Sequence, residues 1–578
     1  MKRLPRIHTT LICLLIFVTS ASSAPPRSSS RAALDLVITG GRVYTLDPRS
    51  PLASVIGVRD RKIHFAGLPD FLSQLTDRET QYIRLENTAV CVPGLIDAHG
   101  HLLGLGEQLS TLDFTGVASL AHIRERVIQR IATQPAGEWI RGVNWDQNDW
   151  EDKRFPTIAD IDDISPNHPT YLERIDGHAV WVNSVALRRC GITHETPDPP
   201  GGRVLRDSVG APTGVLIDNA VDLLTPCLTQ PSLAEKKERL RRAFALCNRF
   251  GLVGVTDAGL DSEAIVGLRE LASEGELSLR VYGMLGLSDT QYVRNTLRNG
   301  PTREADDHLF FGALKLYADG ALGSRGAALL APYSDDSTNL GLEIQSREQL
   351  KYWADLALRN GFQVAVHAIG DRGVRNALNM FSELSQKYDL QELRSRVEHA
   401  QVIASEDIPR FATLNVIASV QPTHCTSDMY WAEERLGPER IKGAYAWRSL
   451  RSAGARLACG SDFPVESANP LLGMYAAVTR KDLKGWPDSG WRASESMSSE
   501  EALRGYTLDA AYAARVDSLT GSIAYGKFAD VTIFDRDIFT CPPDELPSVK
   551  VLYTIVAGKV VYAASGQSLP SIESQKEK

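Results

Sequence analysis

The feature that most restricts the fold is a series of eight short apolar segments, most of them separated by helical stretches. One such stretch, SLAEKKERLRRAFALCNRFG, is amphipathic and ends at a glycine. Alternating strands and helices predict a parallel sheet, and eight βα units predict a (β/α)8 or TIM barrel of the α/β class. The predicted strands are VCVPGLIDAHGH, GLVGVTDAG, LSLRVYGML, FFGALKLYADG, FQVAVHAIGD, SRVEHAQVI, NVIASVQPTH and ARLACGSDFP.

The chain has 578 residues, which is too long for one compact core. We assign 91–516 to the barrel and 107–230 to a large insertion, because the gap between the first two strands is too long for one crossover. Strand-like segments at both ends predict a composite β-sandwich domain built from 33–90 and 517–566. The polar tail, 567–578, is expected to be disordered.

The N-terminus has the basic, apolar and small-residue order of a secretory signal peptide, so we predict a signal at 1–24. This predicts the endoplasmic reticulum lumen or secretion; the alternative is an uncleaved anchor in the endoplasmic-reticulum or perinuclear membrane. No other segment looks membrane-spanning. The net charge of −8 and the absence of a later basic cluster argue against nucleic acid. Seven scattered cysteines outside the signal, without CxxC, exclude a disulfide-scaffold protein.

His99 and His101 are the strongest local signal for chemistry. Side chains two residues apart on a strand share a face, so two imidazoles at one strand end can chelate a single cation. Lys315, inside an apolar strand, leaves two interpretations equally open. Its neutral amine could react with carbon dioxide to give a carbamate that bridges two metal ions, or its ammonium could extend to the barrel rim.

His367, His399 and Asp462 each follow an apolar strand, and each alone is as well explained by local hydrogen bonding. Together on one barrel they can complete a site for one or two divalent ions, and imidazole nitrogen suits zinc. Asp462 could also shuttle a proton during catalysis. A second group could hold substrate, although local hydrogen bonding is at least as good an explanation for each member: His178, Asp319, Arg325, Gln421 and His424.

Several motifs resemble the amidohydrolase superfamily, specifically its YtcJ-like branch, amidohydrolase family 3. They are PGLIDAHGH, RGVNWDQNDW, DGHAVWVNS, KLYADGALGSRGAAL, VHAIGDRG, EHAQ, QPTHCTSD and GSDFPVESANPL. This branch includes the N-substituted formamide deformylases and a plant member associated with far-red light signalling. The resemblance implies a distorted TIM barrel with a composite β-sandwich. It also implies a metal site in which Lys315 is a carbamylated bridge between ligands His99, His101, His367, His399 and Asp462.

The leading prediction is a metal-dependent hydrolase of non-peptide carbon–nitrogen bonds, acting on linear amides or N-substituted formamides with metal-activated water. Asp462 and Lys315 would serve catalysis, and His178 or His424 would stabilise the developing oxyanion. One alternative is a cyclic-amide hydrolase or deaminase with the same metal core. Another is a signalling or scaffold protein that keeps the fold without turnover. The expected partner is a small amide, and a homodimer remains open.

Overall fold

The computed structural model describes residues 33–174, 179–199, 202–228 and 231–572. The first part is β-rich, and a kink divides its first strand. Gly40 and Gly41 have φ of 84° and 70°, and a Cβ at Gly40 would lie 2.2 Å from the Leu85 carbonyl oxygen. This first strand pairs antiparallel with β2 along both of its halves. The half before the kink pairs parallel with β4, and the half after it pairs parallel with β5. The elements are β1 (Leu36–Tyr44), β2 (Leu52–Arg59), β3 (Lys62–Gly67), α1 (Leu72–Leu75), β4 (Gln81–Arg84) and β5 (Val90–Pro93).

After β6 (Leu95–Gly100) and α2 (Leu102–Ser110), the chain forms a separate sheet with the order β11-β12-β10-β9-β8-β7. A disulfide joins Cys190 to Cys227, with a Cα–Cα distance of 5.3 Å. The sequence did not predict this pairing. The elements are β7 (Leu112–Asp113), α3 (Leu120–Ile131), β8 (Ile140–Trp145), β9 (Thr170–Arg174), β10 (Ala179–Val182), α4 (Ser184–Arg189), β11 (Gly202–Arg206) and β12 (Pro212–Asp218).

The eight predicted barrel strands form one parallel sheet in the order β6-β13-β14-β16-β17-β18-β19-β20. A parallel bridge between Gly100 and Phe463 brings its first and last strands together, so the predicted barrel is confirmed. The elements are α5 (Leu233–Arg249), β13 (Leu252–Leu260), α6 (Ser262–Ser273), β14 (Arg280–Leu285), α7 (Thr290–Asn299), β15 (Thr302–Glu304), β16 (Leu309–Tyr317), α8 (Arg347–Arg359), β17 (Gln363–Ala368), α9 (Asp371–Leu384), α10 (Leu390–Leu393), β18 (Arg396–His399), α11 (Ile408–Thr413), β19 (Ile417–Val420), α12 (Pro422–Asp428), α13 (Ala432–Arg440), α14 (Trp447–Ser452), β20 (Leu457–Cys459) and α15 (Pro470–Thr479).

The C-terminal part returns to the first sheet, because β21 pairs with β5 and β24 pairs with β4. The sequence predicted a disordered tail over 567–578, but Ser571 and Ile572 pair with β4 as a short strand. Residues 573–578 and the predicted signal peptide, 1–24, lie outside the described residues. None of the helices in the described ranges is long and apolar enough to cross a membrane. The elements are α16 (Ser499–Gly505), α17 (Leu508–Ala513), β21 (Val531–Phe534), β22 (Val551–Val556), β23 (Lys559–Ala563) and β24 (Ser571–Ile572).

Candidate metal centre at the carboxyl ends of the barrel strands

Three predicted ligands from opposite ends of the barrel sequence converge. His99 lies on β6 and is buried, and His101 directly precedes α2 with a third of its side chain exposed. The Nε2 atoms of His99 and His101 lie 3.4 Å and 3.1 Å from Asp462 Oδ1. Donor atoms of these three residues fall within 4.8 Å of one another. The arrangement can therefore chelate a cation.

The backbone at two predicted ligands is unusual. His399 and Asp462 have φ of 71° and 60°, in the left-handed region that is costly for residues with a Cβ. The Asp462 amide donates to the His99 carbonyl at 2.7 Å, which joins the last strand end to the first. Gly460 allows this approach, because a Cβ there would lie 2.5 Å from the His99 nitrogen.

The charge states suit metal binding. Burial, reinforced by Lys315, lowers the pKa of His99 to about 4 and that of His367 to about 3. Burial among other imidazoles likewise lowers the pKa of His399. Burial acts to raise the pKa of Asp462, but the surrounding imidazoles outweigh it and hold that pKa well below its usual range. Neutral imidazoles and an ionised carboxylate are the protonation states that ligate a divalent ion.

Lys315 is buried, so its ammonium does not extend to the rim. Its Nζ lies 3.4 Å from His99 Nε2 and 5.0 Å from the centre of the Tyr317 ring. Burial lowers the pKa of Lys315 to about 8, although Glu398 and Asp462 oppose that shift. A substantial share of the amine is therefore neutral at slightly alkaline pH.

Two histidines present buried nitrogen atoms without a hydrogen-bond partner in the described part of the chain. They are the Nε2 atoms of His367 and His424. His367 Nε2 lies 3.7 Å from Asp319 Oδ1, and His424 Nε2 lies 3.8 Å from Asp462 Oδ2. Orphaned buried polar atoms are costly, and a bound cation would satisfy them. The donor set therefore fits a divalent ion of the zinc type.

Sequence reasoning missed a buried ion pair that orients His99. Glu398 Oε2 accepts a hydrogen bond from His99 Nδ1 at 2.6 Å, and Arg396 Nε lies 3.0 Å from Glu398 Oε1. A carboxylate only accepts, so Nδ1 carries the proton and Nε2 keeps its lone pair. Burial acts to raise the pKa of Glu398, but Arg396 and His99 bring it down to about 2. The available signal was Arg-x-Glu in an apolar strand, a spacing that places both charges on one face.

The predicted substrate-binding residues have different surroundings. Gln421 Oε1 accepts from His399 Nδ1 at 2.8 Å. Asp319 accepts from the backbone amides of Ala328, Ile369 and Gly370 at 2.8 to 2.9 Å, and burial raises its pKa to about 7.

The guanidinium of Arg325 pairs with Asp335 at 2.9 Å. Asp319 and Arg325 thus have hydrogen-bond and ion-pair partners within the protein, while His424 joins the cluster through Asp462. The substrate-binding role of these residues stays a prediction. His178 lies outside the described residues, and its role stays a prediction.

The barrel and its convergent histidine and carboxylate donors define a metal-dependent hydrolase of the TIM-barrel type. A family model described as the amidohydrolase family matches residues 85–562, so the chain belongs to this family. The predicted resemblance is thereby confirmed.

Named relatives cover nearly the whole chain. Protein LONG AFTER FAR-RED 3 of Arabidopsis thaliana is 34% identical over 563 residues, covering 95% of this chain and 94% of the relative. The putative amidohydrolase YtcJ of Bacillus subtilis (strain 168) is 34% identical over 533 residues, covering 91% and 99%. The N-substituted formamide deformylase of Arthrobacter pascens is 28% identical over 548 residues, covering 92% and 99%.

A solved structure has the same fold. It is an uncharacterized metal-dependent hydrolase from Pyrococcus horikoshii OT3, with a TM-score of 0.70 and 26% identity. The match covers 88% of this chain and 99% of that one. Fold, family and structural relative agree on a metal-dependent hydrolase.

Proposed function

We propose that the protein hydrolyses the carbon–nitrogen bond of linear amides, with N-substituted formamides as the favoured class. The observation that carries the proposal is the convergence of Asp462 Oδ1 with the Nε2 atoms of His99 and His101, at 3.4 Å and 3.1 Å, at the carboxyl end of the barrel. Support for the substrate class comes from the 28% identical relative named as an N-substituted formamide deformylase.

We propose that one or two zinc ions are held by His99, His101, His367, His399 and Asp462. A divalent ion supplies Lewis acidity there, which makes water more acidic and polarises a carbonyl oxygen. Lys315 is proposed to carry a carbamate: its neutral Nζ attacks carbon dioxide, a carbon–nitrogen bond forms as one carbon–oxygen π bond breaks to give a carboxylate oxygen, and the nitrogen loses a proton to water. The burial of Lys315 and its 3.4 Å separation from His99 support this role.

Asp462 is the proposed proton carrier. Its carboxylate takes the proton of the attacking water and later delivers it to the amine nitrogen as the carbon–nitrogen bond breaks. Glu398 holds the His99 ring in one orientation. The His99 ring and the Glu398 carboxylate are therefore both held in place before substrate arrives.

The test is a panel of N-alkyl and N-aryl formamides, longer N-acyl amines and cyclic amides, with release of formate or amine as the measurement. We expect formamide turnover, and a loss of kcat of about 100-fold or more in Asp462→Asn, the scale of general acid–base catalysis. His367→Ala should also lose activity. Asp306→Asn is the matched control, because this carboxylate is 81% exposed.

Each other outcome has a meaning. Full activity in Asp462→Asn contradicts the mechanism. Ring-opened products or ammonia identify the cyclic-amide hydrolase or deaminase alternative. A metal-loaded protein that turns over nothing on the panel supports the scaffold alternative.

A further inference from the structure

We propose that the protein binds a small phosphate monoester in a cavity at the amino ends of the last two barrel strands. The cavity has a volume of about 350 Å³. Ile417, the first residue of β19, and Arg456, which directly precedes β20, both line it. Parallel strands begin at one face of a barrel, so the cavity lies on the face opposite the candidate metal centre. The site is therefore separate from the proposed hydrolysis.

The charges on the cavity wall favour an anion. Among the described residues, three arginines and one acidic residue are the charged groups that line it: Arg451, Arg456, Arg504 and Asp509. The wall thus carries two more positive than negative charges, in a chain whose net charge is −8. An excess of one sign of charge in a cleft attracts ligands of the opposite sign.

Glu501, the partner of Arg451, does not remove this excess, because it serves two arginines. Both of its oxygens accept from the terminal nitrogens of Arg448, each at 3.0 Å. One of them also accepts from Arg451 Nε at 3.1 Å. The two terminal nitrogens of Arg451 have no hydrogen-bond partner among the described residues. They are therefore available to a ligand in the cavity.

Arg456 and Arg504 also present guanidinium nitrogens without a protein partner. Arg456 donates through one nitrogen to Asp509 Oδ1 at 2.5 Å, and its guanidinium carbon lies 3.9 Å from the centre of the Tyr512 ring. These contacts hold the group in place, and its other two nitrogens have no partner in the described ranges. The half-buried side chain of Arg504 forms neither a hydrogen bond nor an ion pair within the part of the chain that the structure describes. Such guanidinium forks are the preferred donors to phosphate oxygens.

A phosphate monoester suits these donors better than a carboxylate. Its dianion has three terminal oxygens in a tetrahedral arrangement, and the arginines come from three places: α14, the start of β20 and α16. A carboxylate has two oxygens in one plane, which a single guanidinium fork already satisfies. The cavity lies at the small end of the range of about 300–1,000 Å³ for ligand sites, so it has room for a small organic group. The side-chain amides of Gln391 and Asn415 also line it and can donate to hydroxyl oxygens of that group.

The experiment is calorimetric titration of the full-length, metal-loaded protein with glycerol 3-phosphate and glucose 6-phosphate, and with sulfate and acetate for comparison. We expect one equivalent of either ester, bound more tightly than sulfate or acetate. Arg504→Gln should weaken ester binding by about ten-fold or more, because a charged hydrogen-bond donor is lost. Arg504→Lys should fall between the two, because it keeps the charge and loses the fork. The matched control is Arg298→Gln, since this arginine of α7 is exposed and has no ion-pair partner among the described residues.

Arg504→Gln removes no hydrogen bond or ion pair of the described residues, so its unfolding midpoint in phosphate-free buffer should equal that of the wild type. Loss of ester binding in this normally folded variant then assigns the arginine to the ligand. Ester bound at the metal centre instead would be insensitive to Arg504→Gln. Undiminished binding in that variant, no binding by the wild type, or equal affinity for all four anions overturns the proposal. The formamide panel has no bearing on this titration, so the two proposals fail separately.

Discussion

The candidate centre depends on charged side chains that are buried with their partners. Arg396, Glu398 and His99 are each at most 1% exposed and form a continuous chain of contacts. Removing one member leaves an uncompensated charge in the interior, which is more costly than losing the pair as a whole. The same chain fixes the tautomer of a predicted ligand, so stability and metal affinity are coupled at Glu398.

We expect Glu398→Gln to weaken divalent metal binding by about 10- to 100-fold, the usual effect of losing the partner of a ligating histidine. It should also cost about 3–5 kcal/mol of unfolding free energy, because Arg396 loses its counter-charge. Cobalt affinity and denaturant unfolding measure the two effects. Glu439→Gln, at an 81% exposed glutamate, is the control. A variant with wild-type metal affinity would show that Glu398 does not orient His99.

Sequence reasoning identified the His99–His101 pair because strand alternation acts over two residues. It grouped Lys315 and Asp462 with the pair only through the predicted barrel and the family resemblance, and it did not identify Glu398. Glu398 and Lys315 come within 3.4 Å of His99 from 299 and 216 residues away along the chain. Such contacts follow from barrel closure, which no local pattern encodes. Lys315 shows the same limit: its burial excludes the rim interpretation, whereas the carbamate remains a proposal.

At the scale of elements, the eight barrel strands were predictable because each is a short apolar run followed by a helix or turn. The strand pairing within the insertion was not predictable, because irregular segments connect its strands and several of them pair antiparallel. The contact between the β-domain and the barrel was likewise not predictable from the sequence. Arg280 on β14 pairs through two nitrogens with Asp530, just before β21, at 2.8 Å and 3.2 Å.

We expect Asp530→Asn to weaken the contact between the β-domain and the barrel. It should lower the free energy of unfolding by about 3–5 kcal/mol at pH 7, because Arg280 loses its counter-charge. Burial acts to raise the pKa of Asp530, but Arg280 outweighs it and lowers that pKa below its ordinary value near 3.9. The stabilisation that the ionised Asp530 provides is therefore complete above about pH 5 and is lost as the pH falls further. Denaturant unfolding of both proteins between pH 7 and pH 3 should show the difference shrinking. Asp306→Asn is again the exposed control, and a pH-independent difference would contradict the assignment.

At the scale of the whole molecule, both chain ends contribute to one sheet, and β5 continues directly into the first barrel strand. The sequence predicted that the two ends meet, because both consist of strand-like segments with tight turns. It could not predict the disulfide between Cys190 and Cys227, since the pairing of scattered cysteines is not encoded locally. The bridge joins the end of α4 to Cys227, which precedes the chain's return to the barrel at α5. Disulfides persist in oxidising compartments, such as the secretory pathway that the N-terminal sequence predicts.

The bridge should stabilise the insertion by restricting its unfolded state. Its cysteines are separated by 37 residues, and closing a loop of that length is worth about 3–4 kcal/mol. We expect dithiothreitol, or Cys190→Ser with Cys227→Ser, to lower the unfolding free energy of the insertion by that amount. Tryptophan fluorescence follows this unfolding, because four of the nine tryptophans lie in the insertion: Trp139, Trp145, Trp150 and Trp181.

Cys541→Ser is the matched control, because this thiol is free and lies outside the insertion. Protein made in an oxidising compartment should be lighter by the two thiol hydrogens, and dithiothreitol should restore them. The barrel metal ligands lie outside the closed loop, so cobalt stoichiometry should be the same before and after reduction. If mass spectrometry shows the bridge formed, yet reduction leaves the fluorescence midpoint unchanged, the bridge does not stabilise the insertion.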